Sequence, residues 1–421
     1  MSRAGRACEV DGVACESFDE DTPKRYFAGS ERLRSAEETL QLVTPLLDEA
    51  GITRVAVATG LDTVGVPVVL CTRPLAFGLS VTQGKGVTLA AAKASAVMEA
   101  IEHYHAETIQ ASLRYATETE LVEEGVVDTA LLVGRSPSYS ASERLLWQQG
   151  RSLAGDRLWL PFDTVHLDLR VPGPSGRALF MPSSNGLASG NSKLEATCHG
   201  LCEVIERHLI SEFYELDVPA QEARRVDSNT IDDPTCRELL DRFERARVDV
   251  ATWDLSNDLG IPGFMCEIVD CIEDPFRAIP LARGYGCHTD RGIALCRALC
   301  EAAQSRLTLI SGARDDIVLL EADARRRAVA TAQAQAAARR QRRAGGSFQA
   351  IPKQSFQTFG EELSWLAERL EQCGLASPIV VDLSKPRLPI SVVRVVVPGL
   401  RFSESEQAIW KLGAGAASCR T

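Results

Sequence analysis

The sequence predicts a mixed α/β (α+β) fold in which glycine-rich turns lead into acidic helices. Three stretches carry this prediction. Ser183 to Leu209 runs from Asn185-Gly186-Leu187-Ala188-Ser189-Gly190-Asn191 into a helix with Ala196, Leu201, Val204, Ile205 and Leu209 on one apolar face. Gln83-Gly84-Lys85-Gly86 precedes a helix that starts near Thr88 and contains KASAVMEAIEHYHAE. Gly284-Tyr285-Gly286-Cys287-His288-Thr289-Asp290 precedes a third helix from about Ile293.

Each helix carries charge where its neighbours are apolar. Asn191 or Ser192 can cap the central helix, and Glu195, three residues beyond Ser192, is placed to close a capping box. Glu203 and Glu206 are three apart, as are Glu99 and Glu102, so each pair projects from one side of its helix. The third helix presents Arg297, Glu301 and Gln304 on one side. Like charges held together need a compensating cation. A hard cation such as magnesium, bound to a phosphate, supplies it, and helix starts offer free N–H groups to phosphate. The competing explanation is a buried salt-bridge network that uses Lys85, Arg207 and Arg297. A lone GKG is weak evidence and is not a Walker motif, because no Ser or Thr follows in frame. A lone ExxE is usually surface charge. The combination differs, because carboxylates in strongly apolar helices cannot be buried without partners. His103, His105, His199 and His208 flank the carboxylates; a catalytic or metal role is open to them, but each reads first as a hydrogen-bonded core or surface histidine.

Composition narrows the class. The 421 residues are 45% apolar and 24% charged, as in ordinary globular proteins. A net charge of −11 argues against a nucleic-acid partner. No apolar run approaches the roughly 18 residues of a membrane span. The first residues lack the apolar core of a secretory signal, so a cytoplasmic location is expected. Of the 13 cysteines, Cys198/Cys202 and Cys296/Cys300 form i,i+4 pairs that read as small core residues. There are no CxxC zinc knuckles, and no cysteine is marked as a nucleophile.

In chain order, residues 1–24 are polar and read as a disordered tail. A helix is expected over 35–49, then strands over 53–58 and 66–71 and the first acidic helix to near Glu107. Mixed helix and loop is expected over 116–155, with strands over 158–167 and 179–182. The central helix runs to about Glu215 and another covers 233–246. Strands over 248–253, 264–271 and 278–282 precede the third helix, which runs to Ile310. The alanine-rich segment 321–343 holds seven arginines between Arg325 and Arg343 and reads as a solvated linker helix, or else as a basic surface for an acidic partner. A helix over 361–373, strands over 379–382 and 390–396, a short helix and a small-residue tail close the chain.

Taken together and in this order, SVTQGKGVTLAAAKASAVMEAIEHYHAE, SNGLASGNSKLEATCHGLCEVIERHL and GYGCHTDRGIALCRALCEAAQSRLTLISGARDD resemble the YcaO family of ATP-dependent enzymes. The likeness spans about Lys24 to Arg401. It implies a YcaO-type ATP-binding fold in one catalytic domain over 25–401, with a C-terminal tail over 402–421. It also implies ATP and magnesium as cofactors. Glu99, Glu102, Glu203, Glu206 and Glu301 are then expected to bind magnesium. Ser184, Asn191, Glu195 and Lys85 are expected on the nucleotide, with Arg207 and Arg297 as cations that both bind it and serve catalysis. His103 stands where the family often has arginine and is left out of the site.

The family's chemistry is ATP-driven activation of a backbone amide in a peptide or protein. A sulfur donor then gives a thioamide, and a neighbouring Cys, Ser or Thr gives an azoline. The chain ends GAGAASCRT, without the proline-rich tail common in azoline formers. Its region from Lys24 to Val69 resembles stand-alone members that work with a TfuA partner and are associated with thioamides. Thioamide formation with a TfuA-like protein is therefore expected, with azoline or amidine formation as the alternative. A homodimer would fit the family, although no dimer seam is legible. A reading of another class is a catalytically idle, peptide-recruiting scaffold, against which the full carboxylate set argues.

Overall fold

The computed structural model describes residues 22–271, 279, 281–313, 322–342 and 344–401. Its organising unit is an edge strand that turns directly into a long helix, used three times. The first unit is the antiparallel sheet Arg54–Val57, Val68–Thr72 and Val81–Lys85, followed by the helix Leu89–Glu107. The last is the antiparallel sheet Val248–Asp254, Gly263–Asp270 and Ala282–Cys287, followed by the helix Arg291–Ser311. The middle unit in chain order belongs to a six-stranded antiparallel sheet. Its order is Arg114–Ala116, Leu145–Ser152, Ile379–Asp382, Ser391–Val396 and Leu187–Gly190, with Arg157–Pro161 also on Leu145–Ser152. The edge strand Leu187–Gly190 feeds the helix Lys193–Glu215.

The glycines expected in turns lie in or beside these edge strands, which corrects their expected placement in turns. Their role is close approach of strand to helix. A Cβ on Gly84 would stand 2.1 Å from Ala96 N and 2.2 Å from Ala92 O. On Gly284 it would stand 2.1 Å from Ala302 N, and on Gly190 2.5 Å from Ala196 N. Alanines on the facing helix turn complete the fit. The true turns are shorter, and each ends in a side-chain cap. Thr88 accepts from Ala91 N, Ser192 from Glu195 N, and Asp290 from Gly292 N and Ile293 N.

Other differences have local causes. Leu145–Ser152, expected as helix or loop, is a strand with Trp147 fully buried. The expected 158–167 strand stops at Pro161 and passes into a 3-10 turn, Phe162–Thr164. The expected 179–182 strand is irregular, because the N–H groups of Leu179 and Phe180 are drawn to the Asp163 carboxylate at 3.0 and 3.4 Å. The first helix is shorter than expected, Ala36–Val43, since Pro45 converts its end to a 3-10 turn. Of the expected 278–282 strand, Ala282 opens the strand Ala282–Cys287, while Ala278 and Pro280 lie outside the described residues. The expected short helix after 401 lies outside them too, as do residues 1–21 of the expected tail. Residues 22–24 are packed instead of disordered: Pro23 bridges Thr358, and Lys24 N donates to Gln357 O at 2.9 Å.

The alanine- and arginine-rich segment forms the helix Ala322–Arg340, but it is no free linker. Val329, Ala332 and Ala336 are buried, the alanines against Val269 and Leu281. Arg339 pairs with Glu267 at 3.1 Å and lies over the Trp253 ring, and Arg340 pairs with Asp249 at 3.1 Å. Among the described residues no helix is long and apolar enough to cross a membrane.

Candidate active site

Where the three units meet, a cavity of about 600 Å³ opens. Every site residue expected from the sequence lines it: Lys85, Glu99, Glu102, Ser184, Asn191, Glu195, Glu203, Glu206, Arg207, Arg297 and Glu301. Helical spacing explains the convergence. Glu195, His199, Glu203 and Glu206 form one stripe along the helix Lys193–Glu215. The opposite stripe, Leu201, Ile205 and Leu209, is fully buried in the core. Glu99 and Glu102 take the same position on the first helix, and Arg297 and Glu301 on the third.

Hydrogen bonds tie the units together across the cavity. Lys85, at the end of the first unit's edge strand, pairs with Glu301 of the third helix at 2.6 Å. Glu301 also accepts from Tyr285 N at 3.2 Å. Glu102 of the first helix accepts from Ser189 N at 2.9 Å and Ser189 Oγ at 2.6 Å, on the middle unit's edge strand. The Glu195 carboxylate does not close the expected capping box. It turns away to accept from Leu33 N at 3.0 Å, with Asn191 Nδ2 at 3.3 Å and Arg32 Nε at 3.7 Å. Asn191 Oδ1 in turn accepts from Thr39 Oγ1 at 3.1 Å.

The carboxylates are electrostatically unbalanced. Burial pushes Glu102 up to about 8, with Glu99 and Glu203 adding to the rise against the Ser189 bonds. Burial, with Glu301 nearby, pushes Glu206 up to about 7. Burial also raises Glu203, although Arg207 and Arg297 oppose it. For Glu301 burial is outweighed by Lys85 and Arg207, which hold its carboxyl below the usual range. The cavity thus has more carboxylates than its arginines and lysine keep ionised, and added cationic charge would relieve it. Among the described residues no three acidic, histidine or cysteine side chains form a ready-made metal cage. The carboxylates are spread around the cavity. That suits magnesium, which is usually held by one or two carboxylates and by phosphate oxygens, with few all-protein cages.

Sequence reasoning missed part of the wall. Arg32, Arg34 and Thr39 reach the cavity from the N-terminal hairpin and helix, and Ser189, His103 and His199 also line it. The i+4 spacing of His199 from Glu195 was a usable signal. Burial and the nearby Arg297, Arg32 and Lys85 drive its pKa well below the ordinary histidine value, so it is neutral at physiological pH. Nothing in the sequence around Arg32 distinguishes it from a surface arginine.

Comparison with known proteins follows the same outline. Residues 83–401 match the family model described as YcaO cyclodehydratase, ATP- and Mg2+-binding. An uncharacterised protein in the tfuA 3′ region of Rhizobium leguminosarum bv. trifolii is 36% identical over 417 residues, covering 92% of this chain and 93% of that one. The structure of YcaO from Methanopyrus kandleri bound with AMPPCP and Mg2+ superposes with a TM-score of 0.71 at 23% identity, covering 92% and 96%. A heterocyclase in complex with substrate and cofactor superposes with a TM-score of 0.74 at 22% identity over 91% of this chain. This chain spans 54% of that heterocyclase. The structural likenesses show a shared fold, and together with the sequence match they establish that this chain belongs to the YcaO family.

Proposed function

We propose that this protein uses ATP and magnesium to activate a backbone amide of a peptide or protein by O-phosphorylation, then exchanges that oxygen for sulfur to give a thioamide. A TfuA-like partner and a sulfur donor complete the reaction. The observation that carries this reading is the convergence of carboxylates from three helices with Lys85, Arg207 and Arg297 on one cavity. The AMPPCP and magnesium in the Methanopyrus kandleri protein support the nucleotide reading, and the tfuA-region relative supports the partner.

The residues suit the chemistry. An amide oxygen is a poor leaving group. Transfer of the γ-phosphoryl forms a bond from phosphorus to that oxygen and breaks the bond to ADP. Arg207 and Arg297 face the cavity where charge on the transferring group must be met. Ser184, Asn191, Glu195 and Lys85 would orient the nucleotide. Glu99, Glu102, Glu203, Glu206 and Glu301 would hold magnesium, which neutralises phosphate charge when bound. Sulfide then adds to the activated carbon, and phosphate departs with the original oxygen. No protein nucleophile is needed. This agrees with the cavity-lining Cys296, whose pKa Cys300 and burial keep well above the ordinary thiol value.

A second reading, azoline formation, is favoured by the heterocyclase likeness. Intact-mass spectrometry separates the two, using a candidate peptide incubated with this protein, a TfuA-like partner, ATP, magnesium and sulfide. A gain of roughly sixteen mass units supports sulfur exchange. A loss of roughly eighteen supports attack by an internal side chain. An idle scaffold would show neither product and no magnesium-dependent ATP binding.

A further inference from the structure

A buried ion cluster joins the N-terminal hairpin, which precedes the matched region 83–401, to Glu362, Thr289 and His288 inside that region. Lys24 lies between Glu31 and Glu362, with its Nζ 2.8 Å from Glu362 and in direct contact with Glu31. The Lys24 and Glu362 side chains are 2% and 1% exposed. Thr289 Oγ1 donates to the other Glu362 oxygen at 2.6 Å. His288 Nε2 stands 3.8 Å from that same oxygen. Main-chain bonds flank the cluster, with Lys24 N donating to Gln357 O and Phe359 N to Thr22 O, each at 2.9 Å. A buried ion pair is weak evidence for stability, because desolvation consumes most of the attraction. What such a pair does supply is a fixed geometry, and here that geometry leads to the cavity.

Glu31 belongs to the strand Ser30–Arg32, paired antiparallel with Arg25–Phe27. The residues that follow it touch the site. Arg32 Nε lies 3.7 Å from Glu195, and Leu33 N donates to Glu195 at 3.0 Å. Glu195 is 3% exposed and lines the cavity, so its orientation depends on where the hairpin sits. We infer that Lys24 and Glu362 are positioning residues for the nucleotide site: with Glu31 they form a clasp that fixes the hairpin, so that Leu33 N–H and Arg32 aim the Glu195 carboxylate into the cavity. This rests on the ATP reading above.

The test is the affinity of the full chain for magnesium with AMPPNP, measured by calorimetry. Lys24→Met should weaken binding about tenfold, the scale of one misaligned charge-assisted hydrogen bond. In a Glu195→Gln background the same substitution should cause no further loss, because the clasp acts through Glu195. Lys24→Arg, which can still bridge both carboxylates, should restore affinity. Glu31→Gln leaves the Lys24–Glu362 pair intact and should repeat the weakening if Lys24→Met does not fold. Unchanged affinity in Lys24→Met or Glu31→Gln would overturn the inference. So would a loss that multiplies with that of Glu195→Gln, which would mark a general structural effect. A wild-type chain that binds no AMPPNP with magnesium would overturn the ATP reading, and this inference with it.

Discussion

Replacing Gly284 with alanine separates the packing role of the glycines from a phosphate-loop role. The new Cβ would lie 2.1 Å from Ala302 N and 2.3 Å from Ala298 O, where ordinary contact starts at 3.4 Å. Both neighbours are main-chain atoms of the third helix, so no rotamer change relieves the overlap. The helix Arg291–Ser311 must move by more than 1 Å and carries Arg297 and Glu301 with it. Overpacking of this kind costs ~3 kcal/mol or more. Gly60→Ala is the control, since nothing lies within 4 Å of its Cβ, and it should cost less than ~0.5 kcal/mol. Thermal unfolding should show a midpoint several degrees lower for Gly284→Ala and unchanged for Gly60→Ala. If Gly284→Ala unfolds like the wild type yet loses nucleotide affinity, the glycine contacts phosphate and the packing argument is wrong.

Three further outcomes are expected. Arg306 bridges Asp62 at 3.0 Å and Asp270 at 3.1 Å, all with side chains at most 4% exposed, so Arg306→Met should lower stability by about 3–5 kcal/mol in urea unfolding. Burial pushes His105 down to about 4 from its usual value, so between pH ~6.5 and 4 the unfolded chain takes up a proton that the native chain refuses. Stability should then fall with pH across that window by up to about 3 kcal/mol, and His105→Leu should show a shallower fall in unfolding midpoint between pH 7 and 5. Lys85→Met removes the 2.6 Å pair with Glu301, whose two side chains are about a quarter exposed. It should change stability by less than ~1 kcal/mol while weakening nucleotide binding about tenfold, a split that calorimetry and thermal unfolding together would read.

The site was more legible than the strands that build it. Helices with apolar residues at i, i+3 and i+4 leave their carboxylates on a defined stripe, and that stripe is what meets the cavity at Glu99, Glu102, Glu203 and Glu206. Gly84, Gly190 and Gly284 misled because a glycine reads locally as a turn signal. Its lack of a Cβ was used here for a contact with residues up to eighteen positions away, which local sequence does not reveal. Leu145–Ser152 was missed because two of its polar residues, Gln148 and Ser152, are buried while only Gln149 and Arg151 face solvent, so the apolar/polar alternation of a strand is blurred. The helix Ala322–Arg340 looked solvated because alanine's small side chain hides a buried stripe, and its arginines find partners on Glu267 and Asp249. Arg32 and Thr39 could not be placed, since their role depends on the hairpin folding back onto Glu195 and Asn191.

The most direct measurement is a calorimetric titration of AMPPNP into the wild-type chain and into Glu203→Gln, each with magnesium and with a chelator. Saturable binding to the wild type that needs magnesium and is lost or much weakened in Glu203→Gln is the predicted result. Equal binding by both proteins, or binding indifferent to the chelator, would contradict a magnesium-nucleotide site built from these helices.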